Sequence, residues 1–165
     1  MRIMGIDPGT ASTGFGFLDQ DGSQLHLLEY GVIRTEPGVP DAERLLQIHR
    51  ELGTLITEYR PEVIAVEELF FNKNSRTVIA VGQARGVAML AAAQENLPVE
   101  EYTPLQVKMA VVGYGRAEKR QVQEMVKILL SLTRLPRPDD AADALAVAIC
   151  HAHSRRKNIT RIRAK

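Results

Sequence analysis

Apolar residues near the start of the chain come in short blocks and alternations rather than at helical intervals. Ile3-Met4-Gly5-Ile6 runs into Asp7 and is broken by Pro8-Gly9, which predicts a buried strand with Asp7 at its C-terminal end. From Thr13 to Leu18 an extended pattern resumes with Phe15 and Phe17 on one face. Gln20-Asp21-Gly22-Ser23 is a turn signal, and Leu25 to Ile33 reads as the next strand of an antiparallel meander.

The period then lengthens. Leu45, Ile48, Leu52, Leu55, Ile56 and Tyr59 recur at the spacing of one helix face within Asp41 to Tyr59, and Pro61 stops the element. Val63-Ile64-Ala65-Val66 is a continuous apolar run, as in a strand buried on both faces, and it ends in Glu67. A longer helix is expected from about Ser75 to Glu95. Leu97 to Tyr102 follows as an edge strand, because Pro98 cannot donate to a ladder. Thr103-Pro104 has N-cap and first-turn chemistry, Gly113-Tyr114-Gly115 closes that helix, and Glu118 to Leu132 repeats the helical period. After Pro136 and Pro138, Asp139 can cap a final helix that carries Asp140 and Asp143 and continues to about His153. Strands first and then strands alternating with helices predict an α/β fold, a mixed sheet flanked by helices.

Bulk properties narrow the class. A length of 165 residues with 45% hydrophobic content suits one compact domain, here expected at 1–154. Residues 155–165 form a basic tail: Arg155, Arg156, Lys157, Arg161, Arg163 and Lys165 carry six positives, and without them the net charge of +1 becomes about −5. The tail is either a solubilising end or a phosphate-binding arm. The single cysteine, Cys150, lies in an apolar stretch and fits a reducing compartment. With no signal-peptide core and no apolar run long enough to span a bilayer, a soluble cytoplasmic protein is expected.

Four carboxylates carry the candidate chemistry. Asp140 and Asp143 are three apart, so a helix sets them on one face, while Asp7 and Glu67 leave neighbouring strand ends. If the last helix packs against those ends, the four acids converge, and their repulsion calls for cations among them. Oxygen donors favour Mg²⁺, with Mn²⁺ as substitute, over zinc. Two such ions per site would suit phosphoryl transfer. Taken singly, Asp140 and Asp143 could equally be first-turn acids that the helix dipole favours, and Asp7 a turn residue.

Gly5-Ile6-Asp7-Pro8-Gly9, Ala65-Val66-Glu67, Gly82-Gln83-Ala84-Arg85-Gly86 and Asp140-Ala141-Ala142-Asp143-Ala144-Leu145, together with Val107-Lys108 and Val111-Val112-Gly113, resemble the RuvC-type Holliday junction resolvases over most of the chain. The resemblance implies a ribonuclease H-like five-stranded sheet and a homodimer that makes paired symmetrical nicks in four-way DNA junctions, leaving ligatable 5'-phosphate and 3'-hydroxyl ends. It also implies catalytic and metal-binding roles for Asp7, Glu67, Asp140 and Asp143, with branch-migration and junction-binding proteins as partners. Other ribonuclease H-like nucleases acting on RNA share such acids, and a junction-binding module without chemistry is a further alternative. An actin-like ATPase would need a second, duplicated domain.

The same resemblance points to substrate contacts. Phe70 matches a junction-inserting aromatic, and Phe71 stands beside it; each can stack on a base or pack beneath its loop. Lys73, Asn74 and Arg76 offer groups for base edges or phosphates, although Asn74 or Ser75 could instead cap a helix. Lys108 and Lys119 match basic positions near the family's active site, where a lysine would hold the scissile phosphate. Gly82 and Gly86, one turn apart, lie on a helix similar to the family's dimer-forming element, the alternative being close packing on the sheet. His151 and His153 are expected to make end-of-helix contacts with solvent or phosphate.

Overall fold

The computed structural model describes the backbone of residues 1–68 and 75–163, and the side chains of residues 1–68 and 78–154. Five strands, β1 (Arg2–Asp7), β2 (Ser12–Asp21), β3 (Gln24–Arg34), β4 (Val63–Glu67) and β5 (Val99–Tyr102), form one sheet in the order β3-β2-β1-β4-β5. The first three pair antiparallel, whereas β4 runs parallel to β1 and β5 parallel to β4. This is the mixed α/β sheet that the strand and helix periods predict, with β5 at an edge as Pro98 requires.

Each central strand feeds two cores because successive side chains point to opposite faces. Met4, Ile6, Ile64 and Val66 pack with Phe17 and Ile33 against α1 (Asp41–Tyr59) and α2 (Ser75–Gln94). Ile3, Val63 and Ala65 pack on the other face against α3 (Pro104–Val111), α4 (Lys119–Leu129) and α5 (Asp139–Arg163). From α1 the fully buried Ile48 and Leu52 each contribute about 1.5–3 kcal/mol of burial. That helix closes at Arg60, whose left-handed backbone lets its N–H donate to the Ile56 carbonyl before Pro61. In α3, Thr103 and Gln106 form a reciprocal capping box ahead of Pro104.

Two details at the C-terminal end differ from expectation. Asp139 is itself the first residue of α5 rather than a cap outside it, and the helix continues past His153 to Arg163. His151 and His153 are therefore mid-helix residues. The His151 ring is buried with Nδ1 hydrogen-bonded to the Tyr102 hydroxyl at 2.8 Å, and His153 Nδ1 donates to the Ala110 carbonyl at 2.9 Å. Their partners on β5 and α3 are far away in sequence, so helix-end logic could not find them. Burial, foremost, holds the Tyr102 phenol up at about 12, so it stays protonated beside His151.

Candidate active site

Strand register places the first two acids. Ile6 of β1 faces Val66 of β4 in parallel pairing, so Asp7 and Glu67 leave the same end of adjacent buried strands. Across β1, Asp7 pairs with Gly14 of β2. Glycine at 14 is what lets α5 descend onto that strand end: an added Cβ would sit 2.0 Å from the Asp140 carbonyl oxygen. At Gly5 the corresponding position is 2.0 Å from the Ala144 carbonyl oxygen, one turn further along the helix. These close approaches bring Asp140 and Asp143 to Asp7, and one carboxylate oxygen from each of the three lies within 4.8 Å of the others. Glu67 is not in that tight group. It lines the adjoining cleft of about 180 Å³ with Lys108, Lys119 and Asp143.

The electrostatics reflect a shortage of positive charge. Burial, then the charges of Asp143, Glu67 and Asp140, hold the Asp7 carboxyl up at about 7. Burial and Asp143 also raise Glu67, with Lys108 and Lys119 opposing. Asp143 is raised by burial, resisted by its bond to Lys119. That lysine is the first residue of α4, and its Nζ donates to Asp143 Oδ2 at 2.8 Å and lies 3.6 Å from Asp139 Oδ2. Burial disfavours the Lys119 ammonium, but the bond to Asp143 and the neighbouring acids outweigh this and raise its pKa. Asp139 also pairs with Arg137.

A buried threonine relay braces the loop after Asp7. The Thr10 hydroxyl donates to the Ala80 carbonyl of α2, and the Thr35 hydroxyl donates to the Thr10 carbonyl, both at 2.7 Å. Arg44 of α1 donates in turn to Thr35. Thr13 ties the loop to itself through the Gly9 carbonyl, again at 2.7 Å. Sequence reasoning found neither this relay nor the role of Gly14. Glycines inside predicted strands were the available signal, since they mark a close approach by another backbone.

Of the residues expected to meet substrate, Lys108 and Lys119 stand at the cleft beside the acids. Phe70, Phe71, Lys73 and Asn74 lie outside the described residues, as does the Arg76 side chain. Gly86 is exposed on α2, and an added Cβ there would meet nothing within 4 Å, which rules out close packing on the sheet as its reason. Ile79 and Leu90 on the same helix are 63% and 53% exposed, leaving an apolar stripe with no cover from the chain's own described residues.

Residues 3–151 match the family model described as crossover junction endodeoxyribonuclease RuvC. A protein of that name from Pelotomaculum thermopropionicum is 64% identical over 153 residues, 93% of each chain. Thermus thermophilus RuvC, solved in complex with a Holliday junction substrate, superposes with a TM-score of 0.91 at 39% identity, covering 96% of both chains. The yeast mitochondrial Holliday junction resolvase Ydc2 shares the fold, with a TM-score of 0.64 at 18% identity over 92% of this chain and 77% of its own.

Proposed function

This chain belongs to the crossover junction endodeoxyribonuclease RuvC family, and from that membership we propose how its own residues carry out the reaction. It is a ribonuclease H-like, structure-selective endonuclease that resolves four-way DNA junctions by paired nicks during recombination and repair, hydrolysing phosphodiesters to 5'-phosphate and 3'-hydroxyl ends. The observation that carries the assignment of roles is the convergence of Asp7, Asp140 and Asp143 oxygens within 4.8 Å at the end of a buried strand.

Asp7, Glu67, Asp140 and Asp143 are the catalytic acids and hold divalent metal. The donor set fits a hard cation: all oxygen, with burial and mutual repulsion that a 2+ charge relieves. Mg²⁺, with Mn²⁺ as substitute and two ions per site, would supply an activated water and stabilise the departing alkoxide. The protein positions these groups through Gly14, Gly5 and the Thr10 relay and keeps the acids partly out of solvent. Lys108 and Lys119 hold the scissile phosphate at the cleft, countering its charge as it approaches four acids. The cleft that Glu67, Lys108, Lys119 and Asp143 line is open to solvent, so a phosphate of the strand can reach both lysines and the acids. Phe70 and Phe71 stack at the junction centre, and Lys73, Asn74 and Arg76 read the backbone and bases near the cut.

Two symmetrical nicks need two such sites, and the α2 stripe of Ile79, Gly86 and Leu90 is the homodimer face. The nuclease domain is residues 1–154, and basic residues 155–165 extend beyond it. No helix among the described residues is long and apolar enough to cross a membrane. The protein works in the cytoplasm with branch-migration and junction-binding proteins.

The test is cleavage of a four-way junction, a linear duplex of the same arm sequence and an RNA–DNA hybrid, each with Mg²⁺ or with chelator. Paired, ligatable nicks in the junction alone, and only with Mg²⁺, are expected. Cutting of the hybrid with the junction left intact would overturn the reading.

A further inference from the structure

We infer that Lys119 is a resident cation of the catalytic centre, competing with divalent metal for the Asp143 carboxylate and released toward the scissile phosphate when metal binds. The inference rests on the metal-binding role proposed for the acids and adds a step to it.

Three observations support it. Lys119 Nζ bonds Asp143 Oδ2 at 2.8 Å, and Asp143 supplies one of the three oxygens gathered within 4.8 Å. The lysine therefore sits on a member of the ligand set itself. A divalent ion held by that carboxylate would share it with the ammonium, and two cations on one carboxylate repel if both stay. The second observation is freedom to move. Lys119 opens α4, its side chain is 52% exposed, and a four-carbon stem lets its head swing without disturbing the core. Third, Asp139, 3.6 Å from Nζ and outside the three-acid group, is a second anionic partner that can keep the displaced head near the cleft that Lys119 lines. There it meets a phosphate arriving over Glu67 and Lys108.

Exchange gives opposite signs for binding and catalysis, which a plain structural role would not. In the metal-free chain Lys119 lessens the repulsion among the acids and so lowers the gain from binding metal. With substrate present, the same lysine is needed at the phosphate. Lys108 is the internal control, since it shares the cleft and acts on Glu67 through space.

The experiment titrates Mn²⁺ into DNA-free full-length protein, reading free Mn²⁺ by electron paramagnetic resonance. Wild type, Lys119→Met, Lys119→Gln, Lys108→Met and Asp7→Asn are compared, with folding checked by circular dichroism. Lys119→Met and Lys119→Gln should bind Mn²⁺ about tenfold more tightly, and Lys108→Met less than about threefold more tightly. Both Lys119 variants should nonetheless cut a four-way junction at least about tenfold more slowly at saturating Mn²⁺. Unchanged or weaker Mn²⁺ binding in both Lys119 variants, or equal tightening in Lys108→Met, would overturn the inference. Mn²⁺ binding by Asp7→Asn equal to wild type would instead overturn the assignment of the metal site, and the exchange with it.

Discussion

Gly14 meets the backbone of Asp140: a Cβ at position 14 would lie 2.0 Å from the Asp140 carbonyl oxygen, while Gly14 itself pairs with Asp7 across the sheet. One residue without a side chain thus sets the spacing between a strand-borne acid and a helix-borne acid. Gly14→Ala should push α5 outward, costing about 1–3 kcal/mol of stability by overpacking. A displacement near 1 Å should slow junction cleavage about 100-fold with all four acids intact. Thermal unfolding and single-turnover cleavage read the two effects, and wild-type cleavage in a folded Gly14→Ala protein would show that the approach of α5 is not needed.

Asp7 sets the pH response. Its carboxyl titrates at about 7 in the fold, above its ordinary value, so the metal-free fold retains a proton that the unfolded chain has already released. Stability of the metal-free protein should accordingly fall as pH rises through the interval up to about 7 and level off above it. Metal requires the deprotonated acid, so Mn²⁺ affinity should climb over the same interval and then flatten. Chemical denaturation and Mn²⁺ titration across this range measure both slopes. Both slopes should shrink in Asp7→Asn, with a smaller part left from Glu67 and Asp143, whose carboxyls burial also raises, and unchanged slopes in that variant would assign the proton elsewhere.

Gly86 provides a clean test of assembly. Its Cβ position is open and the residue is exposed, so Gly86→Arg adds bulk and charge to the α2 stripe from a position where the first added atom meets nothing within 4 Å. Helix propensity alone should raise monomer stability by up to about 1 kcal/mol. Sedimentation should show a dimer for wild type and a monomer for Gly86→Arg, with paired nicking lost. A dimer persisting in Gly86→Arg would move the interface off this face.

Much of the fold was legible because its signals are local. The apolar run Val63 to Val66 ending in Glu67 and the helical spacing from Asp41 to Tyr59 reappear as β4 and α1 with their expected bounds. The meeting of Asp140 and Asp143 with Asp7 was not legible from spacing alone, because it depends on Gly5 and Gly14 admitting a helix from the far end of the chain. The motif resemblance supplied that link. Periodicity likewise could not place Lys119, whose position on Asp143 comes from the packing of α4 beside α5. For His151 and His153 the expected helix end was itself displaced, and with it their expected exposure.

The most direct measurement compares wild type and Asp7→Asn on one four-way junction, following binding by gel shift and cleavage by single turnover at saturating Mg²⁺. Removing one ligand and one negative charge should cut the rate by about 10³-fold or more while junction affinity is kept or improved. Near-wild-type cleavage per bound complex by Asp7→Asn would contradict a metal centre built on these acids.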